Sequence, residues 1–387
     1  MNITSPLVAV LLIAGISTGS AQITFPNAGT DGALNLTATY TDYSINLSEA
    51  TEGPGITWDQ SNAARAGKGI YDKDKKAVVF KYSSVTLSAS TSNIYFQNHR
   101  TRCPVVWLVS GNVTINGDLS LNGQAISYTT SQVEAEPGPG GFRGGIQGGN
   151  AAGLGIGGGN NDVNATHAST YGNTAIIPLM GGSGGGGGGA GGGAILIAAS
   201  GTITINGSIT AYGGGSSDGG DGSGGAIRLV ANTIGGTGFV NPGTDGRLRL
   251  ESNNVIAGGL TTTPQTIAVR LPASGQPILW PDSNTASTAK ILNVDFVAAP
   301  DQPYAPLSLD ADVRIEKAAA AASVVTIRTT NFPTTGSVKL RAAGKFNSNA
   351  QLITATLVSG GTFAQADWTA TVTFATGYTT LQVVAKQ

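Results

Sequence analysis

Residues 110–123 read SGNVTINGDLSLNG, and residues 200–213 read SGTITINGSITAYG. From the shared glycine onward, Gly111/Gly201, Thr114/Thr204, Ile115/Ile205, Asn116/Asn206 and Gly117/Gly207 are identical. Both copies alternate apolar and polar residues, the period of a strand with one buried face. Val113, Ile115, Leu119 and Leu121 fall on one side, and Asn112, Thr114, Asp118 and Ser120 on the other. A short strand–turn–strand unit has a single face to bury and cannot bury it alone. Stacked copies merge their faces into one core. The repeat therefore constrains the chain to an all-β fold built by stacking.

Further fragments share this grammar. VVWLVSG at 105–111 precedes the first copy, and AILIAASG at 194–201 leads into the second. YSSVTLSAS at 82–90, AIRLVANTIGG from Ala226 and RLRLES at 247–252 alternate in the same way. Two arrangements fit. In the preferred one the units are coils of a right-handed parallel β-helix, with apolar residues inside and Thr, Ser and Asn outside. In the other, each Asn-Gly is a two-residue hairpin turn and the strands form an antiparallel meander.

A long glycine-rich passage separates the copies. Of the 58 glycines, 34 lie between Gly138 and Gly225, against 6 from Thr261 to Gln387. GGSGGGGGGAGGG at 181–193 has almost no side chain to bury. It is read either as a flexible loop or, preferably, as extended backbone packed against backbone, which only the absence of Cβ allows.

The glycine break suggests the domain plan. Residues 1–21 are expected to be a signal peptide, with the apolar run LVAVLLIAGI followed by STGSAQ and cleavage after Ala21. Residues 22–80 form an N-terminal β cap region, 81–258 the glycine-rich β-helix-like repeat domain, and 259–387 a C-terminal domain. There QTIAVRL, ASVVTIRTTNF, GSVKLRAAG, QLITATLVSGG, DWTATVTFATG and TTLQVVAKQ recur at the spacing of an antiparallel Ig-like β-sandwich, with Trp368 as core anchor. The mature chain has no apolar segment of membrane-spanning length. Its single cysteine, Cys103, rules out an internal disulfide and fits a bacterial source for an exported chain. With 21 basic and 22 acidic residues and no basic stripe, a nucleic-acid partner is not expected.

Chemistry-bearing patterns are sparse. Glu134 and Glu136 in VEAEPGPGG are the catalytic candidates, because residues i and i+2 of a strand share a face at a separation of about 6.6–6.8 Å, within the range of glycosidase carboxylate pairs. Asp218 and Asp221 in SDGGDG are the calcium candidates, although the spacing is not that of an EF-hand. No other cofactor is expected. His99, in NHRTR with Arg100 and Arg102, reads as part of a polar loop or as a ligand site. GLGIGG at 153–158 and GGSGG at 181–185 match the dinucleotide fingerprint and the nucleophile elbow only by composition, since neither stands between a strand and a helix.

VFKYSSVTL at 79–87, VVWLVSGNVTINGDLSLNGQ at 105–124, AEPGPGGFRGG at 135–145, the 177–214 passage and GSGGAIRLVA at 222–231 resemble, in this order, a large group of secreted glycine-rich bacterial proteins. That group is uncharacterised in function. The resemblance implies secretion, a β-helix-like core and a C-terminal Ig-like β-domain, and it brings no activity or catalytic residue. The expected function is a non-enzymatic extracellular structural or adhesive protein of a bacterial cell surface or matrix. Its partners are further copies of itself or a surface or matrix polysaccharide. A polysaccharide-binding module and a β-helix polysaccharide lyase or hydrolase are the alternatives.

Overall fold

The computed structural model describes residues 23–25, 29–37, 42–50, 69–87, 93–126, 133–146, 151–160, 167–169, 171–255 and 259–387, the last with gaps at 267, 274, 283, 302, 304–310, 318–320, 346, 348 and 375–376. The expected signal segment lies outside them. The fold is all-β: strands account for the regular structure, with one short 3-10 helix, Leu47–Glu49, and no α-helix among the described residues.

The two copies of the repeat lie side by side and parallel. Ile203 sits opposite Val113 and Ile205 opposite Ile115 in a ten-stranded sheet. Ile209 sits opposite Leu119 in a separate six-stranded sheet. The strands on either side of each Asn-Gly therefore belong to different sheets. This corrects the hairpin reading, because the turn bends the chain from one sheet to the next and does not fold it back. The bends themselves stack. Asn206 Nδ2 donates to Asn116 Oδ1 at 2.9 Å, and a Cβ on Gly207 would stand 2.2 Å from the Gly117 carbonyl oxygen.

Pairing sorts these strands into three strips. The first contains Ala77–Tyr82, Val105–Val109, the start of Ala194–Ile205, the start of Ala226–Gly235, and Arg247–Glu251. The second contains Ala33–Leu36, Ser84–Leu87, Val113–Ile115, the ends of the same two long strands, and Asn254–Val255. The third is the six-stranded sheet: Tyr43–Asn46, Asn93–Gln97, Asp118–Ser120, Ser208–Thr210, Phe239–Asn241 and Thr261–Thr262. From Ala77 onward the chain visits the strips in this fixed order. Val85, Leu87, Val113, Ile115, Leu119 and Leu121 all enter one core with Phe80, Trp107, Ile197, Leu229 and Val240.

Ala77–Tyr82, Val105–Val109 and the start of Ala194–Ile205 are buried on both faces of the first strip, which is why VVWLV and AILIA read as continuous apolar runs, whereas Arg247–Glu251 at its edge alternates. Val105, Trp107 and Val109 point into the main core. Val106, Leu108, Leu196, Ala198 and Val230 point the other way and are covered by Ile23, Phe25, Leu271, Leu279 and Trp280. Arg228 occupies that outer layer at 2% exposure. It donates to Glu251 Oε1 at 2.8 Å and to the carbonyls of Ile278 and Leu279 at 2.6 and 3.0 Å, so a buried ion pair fastens the covering segment.

Two sequence boundaries do not coincide with changes in pairing. Ala77–Tyr82 runs across position 80/81, and Ala33–Leu36 and Tyr43–Asn46 extend the second and third strips. Thr261–Thr262 still belongs to the third strip. QTIAVRL, expected as a strand of the C-terminal unit, instead makes a single parallel bridge from Val269 to Glu251 and sends Leu271 into the outer layer. Beyond it, two antiparallel sheets of five and three strands share one core. Trp368 is buried there as anticipated, with Nε1 donating to Thr329 Oγ1 at 3.0 Å. Arg341 joins this unit to the glycine-rich passage. Its Nη2 donates to Gly153 O at 2.7 Å and Gly158 O at 3.2 Å, and burial pushes its pKa down to about 10.

The glycine-rich passage is an excursion from the third strip back to the first, and it packs as backbone against backbone. Every residue from Gly181 to Gly193 is buried. Phe142 N donates to Gly182 O, Gly182 N to Gly192 O, Gly192 N to Ser223 O, Gly214 N to Ala190 O and Ala190 N to Gln124 O, at 2.7–3.1 Å. The separation leaves no room for side chains. A Cβ on Gly189 would stand 1.8 Å from Gly214 O, and one on Gly225 1.8 Å from Gly193 O. Gly189→Ala or Gly225→Ala is therefore expected to cost about 3 kcal/mol or more. Gly215→Ala, whose Cβ would find nothing nearer than Asp221 Oδ1 at 3.8 Å, is expected to stay within about 0.5 kcal/mol of wild type. Urea melts of the three variants provide the comparison, and similar losses in all of them would contradict backbone packing.

Candidate functional site

The chain passes from Asn93–Gln97 in the third strip to Val105–Val109 in the first through a tight loop that carries NHRTR. His99 is buried and stacks on Tyr71 with ring centroids 4.5 Å apart, and Thr101 Oγ1 lies 2.8 Å from its Nδ1. Arg102 takes a positive φ, which turns the chain so that its N–H donates to His99 O at 2.8 Å. Cys103 is buried beneath the loop, and burial pushes its thiol pKa up to about 11. A thiol in that state is not a nucleophile at neutral pH.

Arg102 reaches Glu136. Its Nε donates to Oε1 at 2.8 Å and its Nη2 to Oε2 at 3.1 Å. Arg143 brings Nη2 to Oε2 at 2.7 Å and Nε to the same oxygen at 2.9 Å. Asn98 Nδ2 donates to Oε1 at 2.9 Å. Burial alone would raise the Glu136 pKa, but the bonds from Arg102 and Asn98 and the two guanidinium charges outweigh it and hold the carboxyl below the usual glutamate value. Glu134 shows the opposite balance. Burial raises its pKa, only partly offset by a backbone N–H and by the charges of Lys345, Arg143 and Arg102. The expected strand geometry for the pair is corrected: residues 134–138 are irregular, because they enter the glycine layer instead of joining a sheet. Glu136 is a knot between the loop at 98–104 and the start of the excursion. Its carboxylate accepts five N–H bonds, so a proton can reach it only by displacing a donor.

The other candidates are used locally. Asp221 Oδ1 accepts from Ser216 N at 2.8 Å, and its Oδ2 lies 3.5 Å from His167 Nδ1. Asp218 Oδ2 accepts from Ser217 Oγ at 3.0 Å. Among the described residues no group of three or more His, Cys, Asp or Glu is placed to hold a metal. Ser183, the serine of GGSGG, is fully buried and accepts from Gly157 N at 3.1 Å. Gly153 and Gly158 of GLGIGG serve as carbonyl acceptors for Arg341.

One feature escaped the sequence reading: the order of side chains across the outer face of the third strip. Strand register places Ser44 beside Tyr95 and Ser120 beside Thr210, with Asn241 next in that row. A second row runs Asn93, Asp118, Ser208, Phe239 and Thr261. The residues between them, Ile94, Leu119, Ile209 and Val240, point into the core. Period-2 alternation assigned these residues to the outside, but only the register aligns them across strands distant in sequence.

No protein-family model, curated protein or solved structure matches the chain.

The opposed shifts at Glu134 and Glu136 predict opposite effects on stability. Glu136 has a depressed folded-state pKa, so its contribution is complete above the ordinary glutamate range and is lost as the pH falls through the folded value. Glu136→Gln should cost about 1–2 kcal/mol at pH 7, a figure lowered for the 37% exposure of the Glu136 side chain. The deficit should shrink as the pH drops below the ordinary glutamate value. Glu134→Gln should leave pH 7 stability unchanged or raised, because burial disfavours the Glu134 carboxylate in the folded state. Denaturant melts at pH 7 and pH 3 measure both effects, and a loss at pH 7 in Glu134→Gln would contradict the assignment.

Proposed function

We propose that this is a non-enzymatic structural or adhesive protein of a bacterial cell surface or extracellular matrix. In this reading the three strips are the faces of a right-handed parallel β-helix, the glycine layer stiffens one flank, and the C-terminal sheets form an Ig-like β-sandwich. The protein acts as a rigid scaffold that presents flat polar faces to its surroundings.

The observation that supports the reading most is the in-register stack itself. Residues 90 positions apart bond to each other repeatedly: Thr202 N to Asn112 Oδ1, Asn206 to Asn116, Ser208 to Asp118, and Tyr212 N to Asn122 Oδ1, at 2.7–2.9 Å. Such a ladder fixes outer side chains as well as core ones, which suits persistent display of a surface. Export is supported by LVAVLLIAGI and STGSAQ, and a single buried cysteine suits a bacterial exported chain. Two engaged carboxyl groups, Glu136 and Glu251, are held by arginines that tie segments together.

Expressed in a bacterial host with its native leader, the chain should be recovered from the medium or the cell surface with Gln22 as its first residue. Incubated with a panel of polysaccharides, the pure protein should release neither reducing ends nor unsaturated products. Recovery from the cytoplasm with Met1 intact would sink the localisation. Product formation that disappears in Glu134→Gln or Glu136→Gln would sink the non-enzymatic reading.

A further inference from the structure

We propose that the outer face of the third strip binds a neutral, extended β-1,4-linked polysaccharide lying across the strands. The proposal names a partner for the adhesive scaffold and rests on that reading.

Spacing is the first argument. The six parallel strands of this sheet lie about 4.8 Å apart. The row of Ser44, Tyr95, Ser120, Thr210 and Asn241 therefore repeats a hydroxyl or amide at close to the advance of one sugar residue along an extended β-1,4 chain. Successive sugars of such a chain are turned about 180° to one another, so like edges meet the sheet on every second strand, about 9.6 Å apart. Strand register already places Ser120 beside Thr210.

The second argument is chemical. Tyr95 is 41% exposed, and Phe239 is partly buried on a strand three intervals away. They stand in adjacent rows, about 14 Å apart across the strands and about 7 Å along them, so a chain crossing the strands obliquely can set the C–H faces of separate sugar rings on the two rings while the polar groups between them bond to hydroxyls. The polar groups are already oriented. Asp42 accepts from Asn93 Nδ2 at 3.2 Å and from Tyr95 Oη at 3.3 Å, and Asp118 accepts from Ser208 Oγ at 2.7 Å. Side chains held this way lose little rotamer freedom on binding.

Charge selects among polymers. None of the six strands contains lysine or arginine. Asp42 and Asp118 are carboxylates on the face, so a uronate, a sulfated glycan or a nucleic acid meets like charge, whereas a neutral polyol meets acceptors for its hydroxyls. The same two carboxylates disfavour a second copy of this face against itself.

The test is native affinity electrophoresis of the full exported chain in gels containing hydroxyethylcellulose, with polygalacturonate gels in parallel. The neutral glucan should retard the wild type and polygalacturonate should not. Tyr95→Ala combined with Phe239→Ala should raise the dissociation constant about tenfold. Thr210→Arg, which sets a bulky side chain in the middle of the face, should do the same. Far-UV dichroism and melting temperature show whether each variant is folded, and the Thr210 variant serves if the aromatic one is not. The proposal fails if the glucan causes no retardation, if polygalacturonate retards equally, or if a folded variant binds as wild type does. It also fails if light scattering without glucan shows dimers that Thr210→Arg abolishes. Each of these outcomes leaves secretion and the lack of polysaccharide cleavage untouched, so the scaffold reading stands or falls separately.

Discussion

The close approach of bare backbone in the glycine layer is the constraint on which the rest of the molecule depends. Between Ser120 and Ala194 the chain leaves the stack, yet it must return in register to lay Ile203 against Val113. A long excursion of ordinary composition would need its own side-chain core or would leave buried polar backbone unpaired. Here the polar backbone is itself the packing material. Amides and carbonyls of 135–146, 181–193 and 211–225 bond to each other, and absent side chains let them come close enough to do so. Little apolar burial is available in such a layer. Its stability rests on hydrogen bonds, individually modest and intolerant of a methyl inserted where two backbones touch.

The stack supplies what the glycine layer lacks. Its strands bury a single apolar core along their length, from Leu34 to Leu250. Two kinds of repetition hold it in register. Inside, Val113, Ile203 and their neighbours meet at the same depth; outside, Asn, Ser and Asp side chains bond to their counterparts in the adjacent strand. A slip of one residue would turn the apolar set outward, so the core also enforces the order of the outer face.

Charged side chains are few, and several of them act as fasteners. Arg228 and Glu251 pin the covering segment over the first strip, Arg102 and Arg143 hold Glu136, and Arg341 docks the C-terminal unit on the carbonyls of Gly153 and Gly158. Each joins segments that the backbone ladder does not. Glu136 was legible from sequence as a carboxyl of interest but not as a knot, because Asn98, Arg102 and Arg143 approach it from two different segments and no spacing rule connects them.

The amino-acid sequence, through local period and identity, specifies the all-β class, the inward set Val113, Ile115, Leu119 and Leu121, the equivalence of the copies and the burial of Trp368. It left open whether Asn-Gly reverses the chain or bends it, because both geometries suit the same dipeptide. It placed the end of the repeat region at the glycine break near 259, while pairing carries the third strip through Thr262 and the outer layer through Leu279 and Trp280. Those points, the alignment of Tyr95, Ser120, Thr210 and Asn241 in one row, and the Arg–Glu knots emerge only in the folded chain. The physical reason is common to them: each depends on which strand lies beside which. Hydrogen-bond register between segments distant in the chain sets that, and no single stretch of sequence carries it.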